Sequence, residues 1–196
     1  MVKMKRKLLI TGFDPFGGAK INPAWEAVKR LPQEVGDFEV HKLQIPTVFA
    51  LGASRVLEAA EVINPDVILC VGQAGGREAV TPERIAVNIR DTRIADNAGN
   101  RPKGKFVAAD GPAAYFATVP VADMAEAICA ERIPGTVSNS AGAFVCNDVF
   151  YTLLHRYHGT GTKVGFVHVP YLPEQGTPSL ALEDTVAALK AAIGKC

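Results

Sequence analysis

The sequence predicts an α/β protein: a single three-layer α/β/α domain over residues 1–196, built on a mixed, mostly parallel, twisted central sheet. Three observations carry this. Short apolar runs alternate with segments of helical period, the order that gives parallel strands joined by crossover helices. The run Asp66-Val67-Ile68-Leu69-Cys70-Val71-Gly72 is apolar without alternation, as in a central strand covered on both faces. The length, 196 residues, suits one well-buried domain and is short for two.

Lys7–Thr11 reads as the first strand, followed by the turn Gly12-Phe13-Asp14-Pro15-Phe16-Gly17-Gly18. Asn22-Pro23 sets a capping side chain before a proline at the first helical position, predicting a helix to about Leu31. Phe38–Ile45 is a second strand. Thr47 is expected to cap a helix to about Ile63, with Leu51, Val56, Leu57 and Ala60 facing inward. After the central strand, Arg84–Arg90 alternates Ile85, Val87 and Ile89 with Arg84, Ala86 and Asn88. That is the pattern of a half-buried strand at an edge or in an antiparallel pair. Asp91–Pro112 is polar and glycine-rich, a long loop of the kind that usually serves function. A strand is expected at Phe116–Val119, a helix at Val121–Glu131 and a strand at Thr136–Ser138. The next helix, from about Phe144 to His158, carries Val149, Phe150, Leu153, Leu154 and Tyr157 on its inner stripe. Lys163–Val169 is the last strand, and Thr177-Pro178 is expected to open a C-terminal helix. No repeat, linker or low-complexity segment interrupts this order.

Composition excludes several classes. The chain has 21 basic residues against 20 acidic ones, with no basic stripe to suit nucleic acid. The segment Met1–Lys7 is basic, but the apolar run behind it, Leu8-Leu9-Ile10, is too short for a signal peptide, and no run approaches a membrane span. The 4 cysteines show no C-x-x-C spacing and no nearby histidine pairs, so no zinc site is expected, and nucleophilic thiol chemistry of the kind Cys146 offers requires no metal or organic cofactor. A reduced cytosolic protein follows.

The cysteines differ in setting. Cys70 lies inside the apolar strand and reads as an inert packer. Cys129 sits beside Ile128 in a helix and reads the same way. Cys196, the last residue, is expected to be frayed or to bridge to another chain. Cys146 follows the small-residue loop Ser138-Asn139-Ser140-Ala141-Gly142-Ala143 and falls in the first turn of a helix, where the macrodipole favours thiolate. Among the histidines, His41 lies in a strand, and His155 and His158 near a helix end read as surface or capping residues. His168 ends an apolar strand before Pro170, so a layered α/β fold can bring it to Cys146 at one sheet edge. A carboxylate to orient the imidazole could be Glu83, Asp91, Asp96 or Asp110, and spacing does not choose among them. The turn with Phe13 and Phe16 lacks both phosphate-loop patterns and suits a flat, uncharged group. Gln73, after the central strand, offers an amide donor and acceptor.

These motifs resemble a known family. Gly12–Gly18 with Asn22-Pro23, Gly72-Gln73-Ala74-Gly75-Gly76-Arg77, Glu83-Arg84-Ile85-Ala86-Val87-Asn88, Asp96-Asn97, Ser138–Asn147 and His168-Val169-Pro170-Tyr171 stand in the order found in pyroglutamyl-peptidase I (pyrrolidone carboxyl peptidase), a cysteine exopeptidase family. The likeness runs nearly end to end. It implies Cys146 as nucleophile, His168 as general base and acid, and Glu83 as their carboxylate partner. It further implies that Phe13, Phe16, Gln73, Phe144 and Val145 bind the pyrrolidone ring and that Arg93 lies near the oxyanion. The implied partners are peptides with an N-terminal pyroglutamate and, in a homotetramer, further copies of the chain. The alternatives are a nucleoside- or phosphate-handling α/β enzyme and a non-catalytic peptide-binding protein of the same fold.

Overall fold

The computed structural model describes residues 5–196, so the first four residues of the basic segment Met1–Lys7 lie outside the described residues. The chain runs β1 (Arg6–Phe13), α1 (Pro23–Arg30), β2 (Glu34–Val35), β3 (Phe38–Ile45), α2 (Leu51–Ile63), β4 (Val67–Gln73) and β5 (Thr81–Pro82). It continues through β6 (Ile85–Val87), β7 (Ala114–Phe116), α3 (Val121–Ala130), α4 (Val145–Tyr157), β8 (Lys163–Val169) and α5 (Leu182–Ile193). Among the described residues, six strands form the central sheet in the order β2-β3-β1-β4-β8-β5. The inner pairs β1/β3, β1/β4 and β4/β8 are parallel. The edge strands β2 and β5 run antiparallel to their neighbours, and β6 and β7 form a separate antiparallel ribbon.

The strands β1, β4 and β8 bury both faces, which is why their sequences show no polar alternation. Leu8 and Ile10 of β1 and Leu69 and Val71 of β4 pack with α1, α3 and α5. Leu9, Ile68, Cys70 and Phe166, one step out of phase, pack with α2 and α4 on the other side. α1 begins as expected: Asn22 accepts a hydrogen bond from Ala24 N at 3.1 Å, and Pro23 takes the first helical position.

Several boundaries differ from the sequence reading. Thr47 does not cap α2. The cap is Ala50, held at φ 61°, whose N–H donates to Asp148 Oδ2 at 2.7 Å. Thr47 is instead drawn to Asp14, which accepts from its N–H at 2.7 Å. The helix therefore starts later, and Leu51, expected inward, is 42% exposed. The short strand lies at Ala114–Phe116 rather than Phe116–Val119 because it follows the register of β6, with Ile85 opposite Phe116. Thr136–Ser138 forms no strand: it lies beside the segment before β6 through backbone hydrogen bonds such as Ser138 N–H to Pro82 O at 2.9 Å, with isolated bridges at Val80–Gly135 and Glu83–Ser138. The C-terminal helix opens at Leu182, not at Thr177-Pro178, since Tyr171 bridges to Ser179 and keeps that stretch extended. The two-residue strands β2 and β5 carry no periodic signal.

The long loop after β6 is ordered by side chains. Asn88 Nδ2 donates to Ala108 O at 2.8 Å and Gly111 O at 3.1 Å, while its Oδ1 accepts from Val107 and Ala108 N–H. Asp96, 6% exposed, accepts from the N–H groups of Phe49, Ala98 and Asn100. No helix among the described residues is long and apolar enough to cross a membrane.

Candidate active site

The carboxyl ends of β1, β4 and β8 meet the start of α4 at one edge of the sheet. Gly72 of β4 lies directly opposite His168 of β8. A Cβ at Gly72 would stand 2.9 Å from Phe166 Cζ and 3.0 Å from Cys146 Sγ, so only a glycine lets α4 lay its thiol against the sheet there. The sulfur and the imidazole thus flank the same residue. Both line a cavity of about 120 Å³ together with Phe13, Phe16, Asn22, Thr47, Gln73 and Phe144.

The carboxylate arrives by way of β5. Thr81 pairs with His168 and Pro82 with Val167, and Glu83 N–H then donates to Phe166 O at 2.8 Å. The Glu83 side chain is fully buried, with Oε1 2.7 Å from His168 Nδ1. Arg77 Nη1 donates to the same oxygen at 2.6 Å and to Thr81 Oγ1 at 2.5 Å, and Arg77 Nη2 reaches Ser140 O at 3.2 Å. Of the four acidic residues open at the sequence level, only Glu83 meets the imidazole. Asp91 faces Lys103, Asp96 holds its loop, and Asp110 lies 3.5 Å from His155.

Burial would push the Glu83 carboxyl up, but the hydrogen bond and charge of His168, with help from Arg77, outweigh it and hold the group below the usual carboxylate range. His168 is shifted down, chiefly by burial, with Glu83 opposing and Arg77 assisting the shift. Cys146 departs from expectation. Its thiol is pushed up to about 12, mainly by burial, with the Glu83 charge adding to the effect. Loss of solvation and the nearby Glu83 charge both oppose the thiolate that a helix start favours. Both shifts favour a neutral thiol beside a neutral imidazole in the resting site. Cys70, buried in β4, is likewise pushed up to about 12 by burial and is inert as expected.

The cavity wall is aromatic. Phe13 is 2% exposed and packs 6.2 Å from Phe166, centroid to centroid. The Phe16 ring lies 6.0 Å from Phe144, and Phe144 meets Phe49 edge-on at 5.4 Å. Asp14 fixes the turn that presents Phe13 and Phe16. Its carbonyl accepts from Asn22 Nδ2 at 3.0 Å, and its carboxylate accepts from Asn97 Nδ2 at 3.2 Å as well as from Thr47. No side chain caps α4, so the leading N–H groups of the turn that holds Cys146 have no side-chain acceptor.

Other candidates fall elsewhere. The Val145 side chain is fully buried in the core, so only its backbone sits at the helix start. Arg93 is exposed on the loop and outside the cavity lining. Asn147 is buried and clamps the ribbon, donating to Val87 O at 2.8 Å and Ile89 O at 3.1 Å. Cys196 is 7% exposed and packs in the core rather than fraying, whereas Cys129, expected to pack, is exposed. His158 is the C-cap residue of α4 and His155 stands in its last turn, as expected, and both rings pack against Tyr115. The sequence assigned no role to Arg77 or Phe49. Arg77 closes the Gly72–Arg77 motif, and that position was the one available signal.

A sulfur and an imidazole at the mouth of an uncharged hollow are equipped for acyl transfer, which makes the chain, by fold and site, a cysteine hydrolase. The comparisons with known proteins narrow the class. The chain belongs to the pyroglutamyl peptidase family, whose profile matches residues 6–196. It is 50% identical to the pyrrolidone-carboxylate peptidase of Bacillus licheniformis, over 96% of this chain and 91% of that one. It is 52% identical to the pyrrolidone-carboxylate peptidase of Levilactobacillus brevis, over 95% of each chain. The crystal structure of pyroglutamyl peptidase I from Bacillus amyloliquefaciens superposes with a TM-score of 0.93 at 46% identity, covering 98% of this chain and 95% of that one. The pyrrolidone carboxyl peptidase of Thermococcus litoralis gives 0.91 at 36% identity, over 96% and 91%. These matches favour the peptidase over both alternatives raised by the sequence.

Proposed function

We propose that the chain is a cysteine exopeptidase that removes an N-terminal pyroglutamyl residue from peptides, with Cys146, His168 and Glu83 as its catalytic groups. The observation that carries this is the shared lining of one small aromatic cavity by Cys146 and His168, with Glu83 Oε1 2.7 Å behind the imidazole. Because Nδ1 faces Glu83, Nε2 is the nitrogen left to serve as base. As Sγ attacks the carbonyl carbon of the pyroglutamyl residue, the thiol proton passes to Nε2. Backbone N–H groups at the start of α4 receive the oxyanion. The C–N bond then breaks, His168 returns the proton to the leaving amine, and a thioester remains. Water attacks the thioester while giving a proton to Nε2. 5-Oxoproline leaves and the proton returns to the sulfur.

The substrate logic follows from charge. The pyroglutamyl ring has no ammonium, so a carboxylate pocket of the usual aminopeptidase kind would gain nothing. Phe13, Phe16 and Phe144 supply apolar walls, and Gln73 supplies an amide. The chain is read as one peptidase domain from its length and pattern, as cytoplasmic from its cysteine usage and the short apolar run behind its basic start, and as homotetrameric from the family resemblance. Hydrolysis of a chromogenic pyroglutamyl amide, abolished by iodoacetamide, tests the reading. Turnover that survives full alkylation of Cys146 contradicts it.

A further inference from the structure

Gln73 shares its amide with Gln175, a residue 102 positions away. Gln175 Oε1 accepts from the backbone N–H of Leu172 at 3.0 Å, and Gln175 Nε2 donates to the backbone carbonyl of Ile21 at 3.3 Å and to Gln73 Oε1 at 3.2 Å. A backbone N–H only donates and a backbone carbonyl only accepts. These two anchors therefore fix which end of the Gln175 amide is which. Gln175 in turn fixes Gln73, whose Oε1 must face it. Gln73 Nε2 then keeps no acceptor among the described residues. Gln73 lines both the small cavity with Cys146 and His168 and a larger adjoining hollow of about 680 Å³ that Gln175 also lines.

Building on the peptidase reading, we infer that Gln175 is a positioning residue for specificity: it locks Gln73 with its NH₂ toward the cavity, so the site reads a ring carbonyl. A pyroglutamyl ring presents that carbonyl. A prolyl ring has a methylene in that place and carries a charged NH₂ group beside it, so the Gln73 donor finds no acceptor. A buried donor left unmatched is what rejects the wrong ring. The selection of a lactam over a cyclic amine thus originates in the Leu172 and Ile21 backbone, two amides away from the ligand.

The test uses Gln175→Glu and Gln175→Met, each alone and combined with Gln73→Leu. In Gln175→Glu a carboxylate oxygen faces Gln73, which turns its NH₂ outward and shows Oε1 to the cavity. KM for a pyroglutamyl amide should rise about tenfold or more with kcat little changed, and Gln175→Met should fall between. Protection of Cys146 from iodoacetamide by 2-pyrrolidone should weaken by a similar factor, while the alkylation rate without ligand stays the same. In the Gln73→Leu background the Gln175 changes should add nothing further. An unchanged KM and unchanged protection, or an equal loss with and without Gln73, overturns the inference. The protection measurement needs no turnover, so it judges Gln175 even if the wild-type chain hydrolyses no pyroglutamyl amide, a result that would sink the peptidase reading alone.

Discussion

The Nδ1 of His168 stands 2.7 Å from Oε1 of Glu83, two residues 85 positions apart that the β5/β8 pairing makes neighbours. This contact fixes the tautomer: Nδ1 carries the proton shared with Glu83, and Nε2 is free to accept one. A Glu83→Gln variant keeps the shape but can offer its NH₂ to Nδ1, which favours the other tautomer. It should retain the fold and lose kcat by roughly 10³-fold or more. Steady-state kinetics on a pyroglutamyl amide, beside a circular dichroism spectrum, checks both halves.

The pH dependence follows from the same pair. His168 titrates below its ordinary 6.5, so kcat/KM should climb through a single acid limb centred below that value. Stability moves the same way. Glu83 and His168 both bind protons less readily in the folded chain than in the unfolded one. Their contribution is complete above pH 6.5, the unfolded value for His168, and is lost as pH falls through the two folded values. Thermal melts from neutral pH downward should show Tm falling, and His168→Gln should flatten the upper part of that fall.

Arg77 opposes the protonation of both partners, as its charge pushes His168 down and its hydrogen bond pushes Glu83 down. Arg77→Met should therefore move the acid limb of kcat/KM to higher pH, and Arg77→Lys should leave it nearer its original place. An acid limb that does not move in Arg77→Met would confine Arg77 to holding the Ser140 loop.

The neutral thiol makes a separate prediction. With Cys146 pushed up to about 12, alkylation of the free protein by iodoacetamide should keep accelerating well above neutral pH, and thiolate absorbance should be absent at pH 7. A rate that levels off near neutrality would mean that the sulfur is already ionised at rest.

The aromatic walls should separate by burial. Phe13 is 2% exposed, and Phe13→Ala should cost about 3–5 kcal/mol of stability as well as activity. Phe16 is part-exposed on the turn, so Phe16→Ala should spare the fold and raise KM by about tenfold. Chemical denaturation and steady-state kinetics on the two variants distinguish these outcomes.

Much of this was legible where the signal is local. Phe38–Ile45 and Lys163–Val169 have the bounds read from their patterns, and Asn22-Pro23 starts α1 as a cap and proline should. Cys146 and His168 stood out by elimination, each being the one residue of its kind at an element end facing the right edge. What failed depended on distant partners. β5 is two residues long and exists because β8 offers it an edge, so residue spacing could not separate Glu83 from Asp91, Asp96 and Asp110, and only the family resemblance pointed to it. Thr47 looked like a cap until Asp14 claimed it, and the thiolate looked favoured until burial was counted.

The central claim is a covalent bond between the Cys146 sulfur and a pyroglutamyl carbonyl. Mixing the protein with a pyroglutamyl ester, quenching in acid within a turnover and digesting should yield, by mass spectrometry, the peptide carrying Cys146 heavier by one pyroglutamyl group. The Cys146→Ala protein should give none. Turnover with that peptide unmodified under every quench time, or a pyroglutamyl group found on another residue, would contradict the account.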